Sequence, residues 1–160
     1  MEARATEFQG ITYRSKCEAM FALWLSKKNS QDVQIEYEPD WCEIGDYVPD
    51  FAVIRPILDD GHRVPRFCTS VELIEYKPSR PTFTYVDDVF KKLHGLAKRE
   101  LSNGISEILL TVYFGSVYTG DRGIFYFNSQ GSFSSSCINW IGKHERAMRD
   151  FRFDLESAPK

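Results

Sequence analysis

The run Val71-Glu72-Leu73-Ile74-Glu75-Tyr76-Lys77-Pro78 sets an acid and a base two residues apart inside a branched, apolar stretch that reads as a strand. Strand side chains alternate between faces, so Glu75 and Lys77 leave the same face about 7 Å apart, while Ile74 and Tyr76 pack on the other. Upstream, Tyr47-Val48-Pro49-Asp50-Phe51-Ala52-Val53-Ile54 carries one carboxylate, Asp50, in an otherwise apolar run. An unpaired carboxylate is expensive to bury, so Asp50 needs a partner. If the two runs pair, Asp50, Glu75 and Lys77 converge. Two oxygen ligands for a hard cation, with an amine beside them, suit phosphodiester hydrolysis.

The 160 residues, 42% of them hydrophobic, suffice for one packed domain and suggest no second one. A formal charge of −3 gives no general basic surface, so any grip on nucleic acid must be a local patch. Cys17, Cys42, Cys68 and Cys137 lie far apart with no CxxC pair, which leaves zinc and iron–sulfur ligation unsupported. Unpaired thiols, with no signal peptide and no apolar run near the roughly 20 residues of a membrane span, lead us to expect a cytoplasmic protein with no membrane partner.

Residues 1–12 read as a loose polar lead-in. Cys17, Met20, Phe21, Trp24 and Leu25 recur at spacings of three and four, which predicts a helix over Arg14 to Lys28. Val33 to Glu38 alternates as a first strand, with Glu36 and Glu38 on its solvated face. The second strand covers Tyr47 to Ile54, and the turn-rich Asp59-Asp60-Gly61-His62 predicts a long hairpin to a third, Cys68 to Lys77. Thr84 is the expected N-cap of a second helix, with Asp87 and Asp88 in its first turn, running to Asn103-Gly104. Ile105 to Phe114 is an interior strand and Ile124 to Phe127 a fifth that folds back on it. The serine-rich residues 132–136 form a surface loop, and Asn139 to Phe151 a last amphipathic helix with Lys143, His144, Arg146 and Arg149 on a basic side.

This order, αβββαβ, with Pro49-Asp50 on the second strand and Glu75-Tyr76-Lys77 on the third, resembles the core of the PD-(D/E)XK (restriction-endonuclease-like) nuclease superfamily. The resemblance covers residues 14 to about 115. Residues from about 116 to 153 are an elaboration that adds a strand and a helix. It implies an α/β fold whose central mixed sheet is flanked by helices. Carried over residue by residue, it implies Asp50 and Glu75 as ligands of Mg²⁺, for which Mn²⁺ can substitute, and Lys77 as the group that positions or activates water. Arg14-Ser15-Lys16-Cys17-Glu18-Ala19 looks like the helix opening of some small members, in which an acid faces the site. Glu18 then supplies a further oxygen or holds Lys77. Some exonuclease branches carry a glutamine and a tyrosine on the helix after Glu-x-Lys. The second helix here has no glutamine, which argues against those branches.

Lys91, Lys92, Lys98 and Arg99 recur along the polar face of that helix and are the candidates for tracking a phosphate backbone. His62, His94 and His144 read as surface or packing histidines, and Glu72 faces away from Glu75. The expectation is a metal-dependent DNA endonuclease that acts as a homodimer or within a larger nuclease or recombination complex. The alternative is a non-catalytic nucleic-acid-binding or assembly subunit that keeps the fold.

Overall fold

A computed structural model describes residues 4–29, 33–56, 69–102, 105, 107–116, 121–127 and 133–136. Helix α1 (Lys16–Lys28) starts where Ser15 turns extended and its Oγ accepts from the Glu18 N–H at 3.1 Å. This cap leaves Arg14, expected as the first helical residue, just outside. The helix stops at Asn29, whose backbone and side-chain N–H groups both donate to the Leu25 carbonyl, at 3.1 and 2.9 Å. Its predicted stripe is buried from Met20 to Leu25, with Cys17 half-buried, and Phe21 at its centre stacks on Tyr76 with ring centroids 4.4 Å apart.

Strands β3 (Gln34–Tyr37), β4 (Phe51–Pro56) and β5 (Thr69–Lys77) pair antiparallel in sequence order. Helix α2 (Phe83–Ser102) then crosses over, and β6 (Glu107–Phe114) returns parallel to β5. Strands β7 (Gly123–Phe127) and β8 (Phe133–Ser136) continue antiparallel, giving a six-stranded mixed sheet in the order β3-β4-β5-β6-β7-β8. The architecture is mixed α/β, and from α1 to β6 the elements run helix, three strands, helix, strand.

Alternation along the strands divides the core. Phe51, Val53, Ile74, Tyr76 and Tyr113 pack with α1. Ala52, Val71, Leu73, Leu110, Val112 and Phe114 pack with α2, so the two helices cover opposite faces of the sheet. Glu72 lies on the α1 face, as expected. It accepts from Thr111 Oγ1 at 2.9 Å and Tyr113 Oη at 3.4 Å, with Arg55 Nη2 3.5 Å away, so its charge is matched inside the sheet.

Several boundaries differ from expectation. Residues 4–13 hold a hairpin, β1 (Thr6–Phe8) with β2 (Ile11–Tyr13), and not a loose lead-in. Gln9 and Gly10 between them both have positive φ, 52° and 81°, as a two-residue type I′ turn requires. Strand β4 begins at Phe51, because Ile44 and Tyr47 exchange backbone hydrogen bonds of 2.9 and 3.0 Å and close a loop of their own. That loop packs on α2 at Gly95, where a Cβ would stand 3.2 Å from Ile44 Cδ1. The cap of α2 is Thr82, not Thr84: its Oγ1 accepts from the Tyr85 N–H at 3.2 Å. Asp87 and Asp88 therefore lie beyond the first turn, and Asp87 pairs with Lys91 at 2.9 Å. Residues 133–136, expected as loop, form β8 on the β7 edge. The expected final helix, with Lys143, His144, Arg146 and Arg149, and the hairpin containing His62 lie outside the described residues. No helix among the described residues is long and apolar enough to cross a membrane.

Candidate functional site

Phe51 stands opposite Ile74 in the β4–β5 register, so Asp50, one residue earlier, reaches the level of Glu75 at the end of β5. Asp50 is only 2% exposed. Its Oδ2 accepts the backbone N–H of Tyr76 at 2.8 Å, and its Oδ1 pairs with Arg14 Nη2. The Asp50 carbonyl accepts the Glu38 N–H at 2.8 Å, which anchors the approach to β4. Burial first, and the nearby charge of Glu75 second, push the Asp50 carboxyl up to about 7, although Tyr76 and Arg14 pull the other way. An ionised Asp50 is thus costly at this location, chiefly because it is buried and also because Glu75 is near.

Glu75, also buried, is held by two phenols. Tyr47 donates to Oε2 at 2.8 Å and Tyr85 to Oε1 at 2.9 Å. Burial, together with the Glu75 charge, raises both phenols above their ordinary range, so both remain donors. Tyr47 comes from the loop closed by Ile44, and Tyr85 from the first turn of α2 that Thr82 caps. Lys77 Nζ lies 3.7 Å from Glu75 Oε1 and 5.0 Å over the Tyr85 ring. The sheet thus brings Asp50, Glu75 and Lys77 to one end, with Lys77 matched to Glu75.

Glu18 is buried at the same end, but its partners are Tyr37 and Arg14. Oε2 accepts the Tyr37 hydroxyl at 2.6 Å and the Arg14 backbone N–H at 3.1 Å, while Oε1 lies 3.2 Å from Arg14 Nη2. It reaches Asp50 through the shared guanidinium. Among the described residues no three His, Cys, Asp or Glu side chains gather tightly enough to form a metal cage.

The donors at this end are carboxylate oxygens, the class a hard divalent ion prefers, and Mg²⁺ is commonly held by one or two carboxylates plus water and phosphate. Each carboxylate oxygen has two lone pairs, so the bonds from Tyr47, Tyr85 and Tyr76 leave acceptor capacity on Asp50 and Glu75. A cation would offset the cost that burial and the nearby Glu75 charge place on the ionised Asp50. The residues present fit the ion.

The basic residues of α2 divide. Lys91 and Lys98 are exposed, although Lys91 is paired with Asp87, and Lys92 sits with Nζ 5.3 Å over the Tyr47 ring. Arg99 is turned to the protein, donating to the Trp41 carbonyl at 3.2 Å and to the Glu43 carbonyl, with Glu100 at 3.0 Å. Arg14, Tyr37, Tyr47 and Tyr85 escaped the sequence reading. Ser15-Lys16-Cys17-Glu18 has the spacing of a capping box, the one local signal that could have pointed to Glu18 turning back toward Arg14. No family model matches the chain, and no curated protein or solved structure shows significant similarity to it.

Proposed function

We propose that this chain is a Mg²⁺-dependent phosphodiesterase that cleaves DNA as an endonuclease, on the PD-(D/E)XK plan. The observation that carries this reading is the convergence of Asp50, Glu75 and Lys77 at one end of β4 and β5, where burial first and the charge of Glu75 second raise the Asp50 carboxyl. The α1-to-β6 element order, helix, three strands, helix, strand, supports it. Free Cys17 and Cys42 favour a reducing, cytoplasmic setting.

Asp50 and Glu75 would hold the ion, which when bound supplies a Lewis acid that offsets phosphate charge and acidifies water. Tyr47 and Tyr85 fix the plane of the Glu75 carboxylate from two sides, and the Tyr76 N–H fixes Asp50. Lys77, as an ammonium, donates hydrogen bonds to the attacking water or to a non-bridging phosphate oxygen. Lys91, Lys92 and Lys98 on α2 contact the backbone beyond the reacting phosphate, with Arg99 bracing the Trp41–Glu43 segment beside them. Cutting both strands of a duplex calls for two such sites, hence a homodimer or a larger complex.

The test is cleavage of single-stranded, duplex and branched DNA with Mg²⁺ or Mn²⁺, alongside calorimetry of Mn²⁺ binding. Asp50→Asn and Glu75→Gln should each weaken Mn²⁺ binding more than tenfold, about 1.4 kcal/mol or more, and abolish cleavage. DNA binding without cleavage under any ion would favour the non-catalytic subunit instead.

A further inference from the structure

Arg14 stands at the centre of a ring of acids. Nη2 pairs with Asp50 Oδ1 and lies 3.2 Å from Glu18 Oε1, while Nε lies 2.9 Å from Glu38 Oε1. The Tyr37 hydroxyl closes the ring, donating to Glu18 and accepting from the Arg14 backbone N–H at 3.1 Å. Two features separate this from an ordinary surface ion pair. The Asp50 side chain is 2% exposed and fixed by the Tyr76 N–H, whereas the Arg14 side chain is 58% exposed. Glu38, which presents its carboxylate to Arg14, is held at φ 47°, a left-handed conformation that disfavours a side chain.

A guanidinium does not lose its proton at accessible pH, so Arg14 can release Asp50 only by moving. Tyr76 takes one lone pair of Oδ2 and Arg14 holds Oδ1, so a cation that binds Asp50 through Oδ1 competes directly with the guanidinium. We infer that Arg14 is a resident cation that yields Asp50 to the divalent metal and turns outward to bind a substrate phosphate. This rests on Asp50 and Glu75 being metal ligands. In the free protein the guanidinium neutralises Asp50 in place of the ion. Once a divalent charge sits at Oδ1, repulsion drives Arg14 toward its exposed side, where Glu18 and Glu38 keep it at the rim. Its planar fork matches two phosphate oxygens there, which an ammonium cannot do. Metal and DNA therefore bind with positive coupling, and each raises the affinity of the other by the same factor.

Ca²⁺ titration of the full chain by calorimetry, with and without a short DNA duplex, tests this, Ca²⁺ being used to suppress cleavage. In the wild type the duplex should tighten Ca²⁺ binding at least fivefold. Arg14→Gln should bind Ca²⁺ alone at least threefold more tightly than wild type, and its gain from the duplex should fall below twofold. Arg14→Lys keeps the charge without the fork, so it should show a smaller rise for Ca²⁺ alone and the same loss of coupling. It decides the matter if the glutamine variant fails to fold. Ca²⁺ affinity unchanged or weaker in the folded Arg14 variants, or coupling undiminished, overturns the exchange and leaves the metal site standing. Ca²⁺ binding in the wild type that ignores Asp50→Asn overturns both.

Discussion

Tyr76 donates its backbone N–H to Asp50 Oδ2 at 2.8 Å, so the residue between Glu75 and Lys77 fixes the carboxylate of the neighbouring strand. Its side chain serves the other face, where the ring stacks on Phe21 and the hydroxyl donates to the Gly115 carbonyl at 2.8 Å. One residue thus ties the candidate ligands to the core. Phe21→Ala, which removes a fully buried ring from under Tyr76, should destabilise the fold by about 3–5 kcal/mol in a urea titration. A loss under 1 kcal/mol would mean that α1 is not seated on Tyr76 in this way.

The metal-free protein should lose stability as pH rises. The Asp50 carboxyl is raised from 3.8 to about 7, so the folded state binds its proton more tightly than the unfolded one. That contribution is fully present below about pH 4 and fades as pH climbs through 7. Each tenfold gain in proton affinity on folding is worth about 1.4 kcal/mol, so a difference on the order of 2–4 kcal/mol between wild type and Asp50→Asn should develop across this window. Thermal melts at pH 5 and pH 8 check it, and parallel pH profiles for the two proteins would remove Asp50 as the cause.

Lys77→Met retains the aliphatic stem over Tyr85 and deletes the charge. Melting temperature should hold or rise while cleavage drops by two or more orders of magnitude. The opposite pattern, an unstable but fully active variant, would make Lys77 a structural partner of Glu75 and nothing more.

Tyr47→Phe and Tyr85→Phe each strip one hydrogen bond from a buried carboxylate, a loss of about 1–3 kcal/mol in stability where the acceptor is charged. Each should also lower metal affinity about 10–100-fold by freeing Glu75 to rotate. Calorimetry on the single and double variants reads both quantities. Wild-type affinity in the double variant would deny the phenols any orienting role.

For the DNA grip, changing Lys91 and Lys92 together to glutamine should reduce the slope of log affinity against log salt by about 0.9 per lost phosphate contact. Metal affinity at Asp50 and Glu75 should not move. A screening length near 8 Å at physiological salt lets such a local cluster prevail over a net charge of −3. An unaltered slope would shift attention to Lys98 and to the cations of the C-terminal segment.

Periodicity made α1, α2 and the strands β3 to β7 legible, because each buries one face against a partner and repeats accordingly. Asp50, Glu75 and Lys77 were legible for a related reason: charge inside an apolar strand stands out. What stayed hidden has no period. The β1–β2 hairpin turns on Gln9-Gly10, a weaker signal than Asn-Gly, and β8 is a serine-rich strand added at an edge, where composition says loop. Arg14, Tyr37, Tyr47 and Tyr85 reach the carboxylates from four separate segments, and such meetings depend on three-dimensional register.

The crossover through α2 also has a kinetic consequence. Helix α2 and the β4–β5 hairpin depend on near neighbours, but parallel pairing that sets Ser70 beside Glu107 must first close the long loop through α2. Chain entropy opposes that closure before any contact rewards it. Tyr85 can meet Glu75 only when this crossover has docked. Recovery of metal binding after dilution from denaturant should accordingly trail the helical circular-dichroism signal, and a mutation that slows docking would delay function while leaving the helix intact.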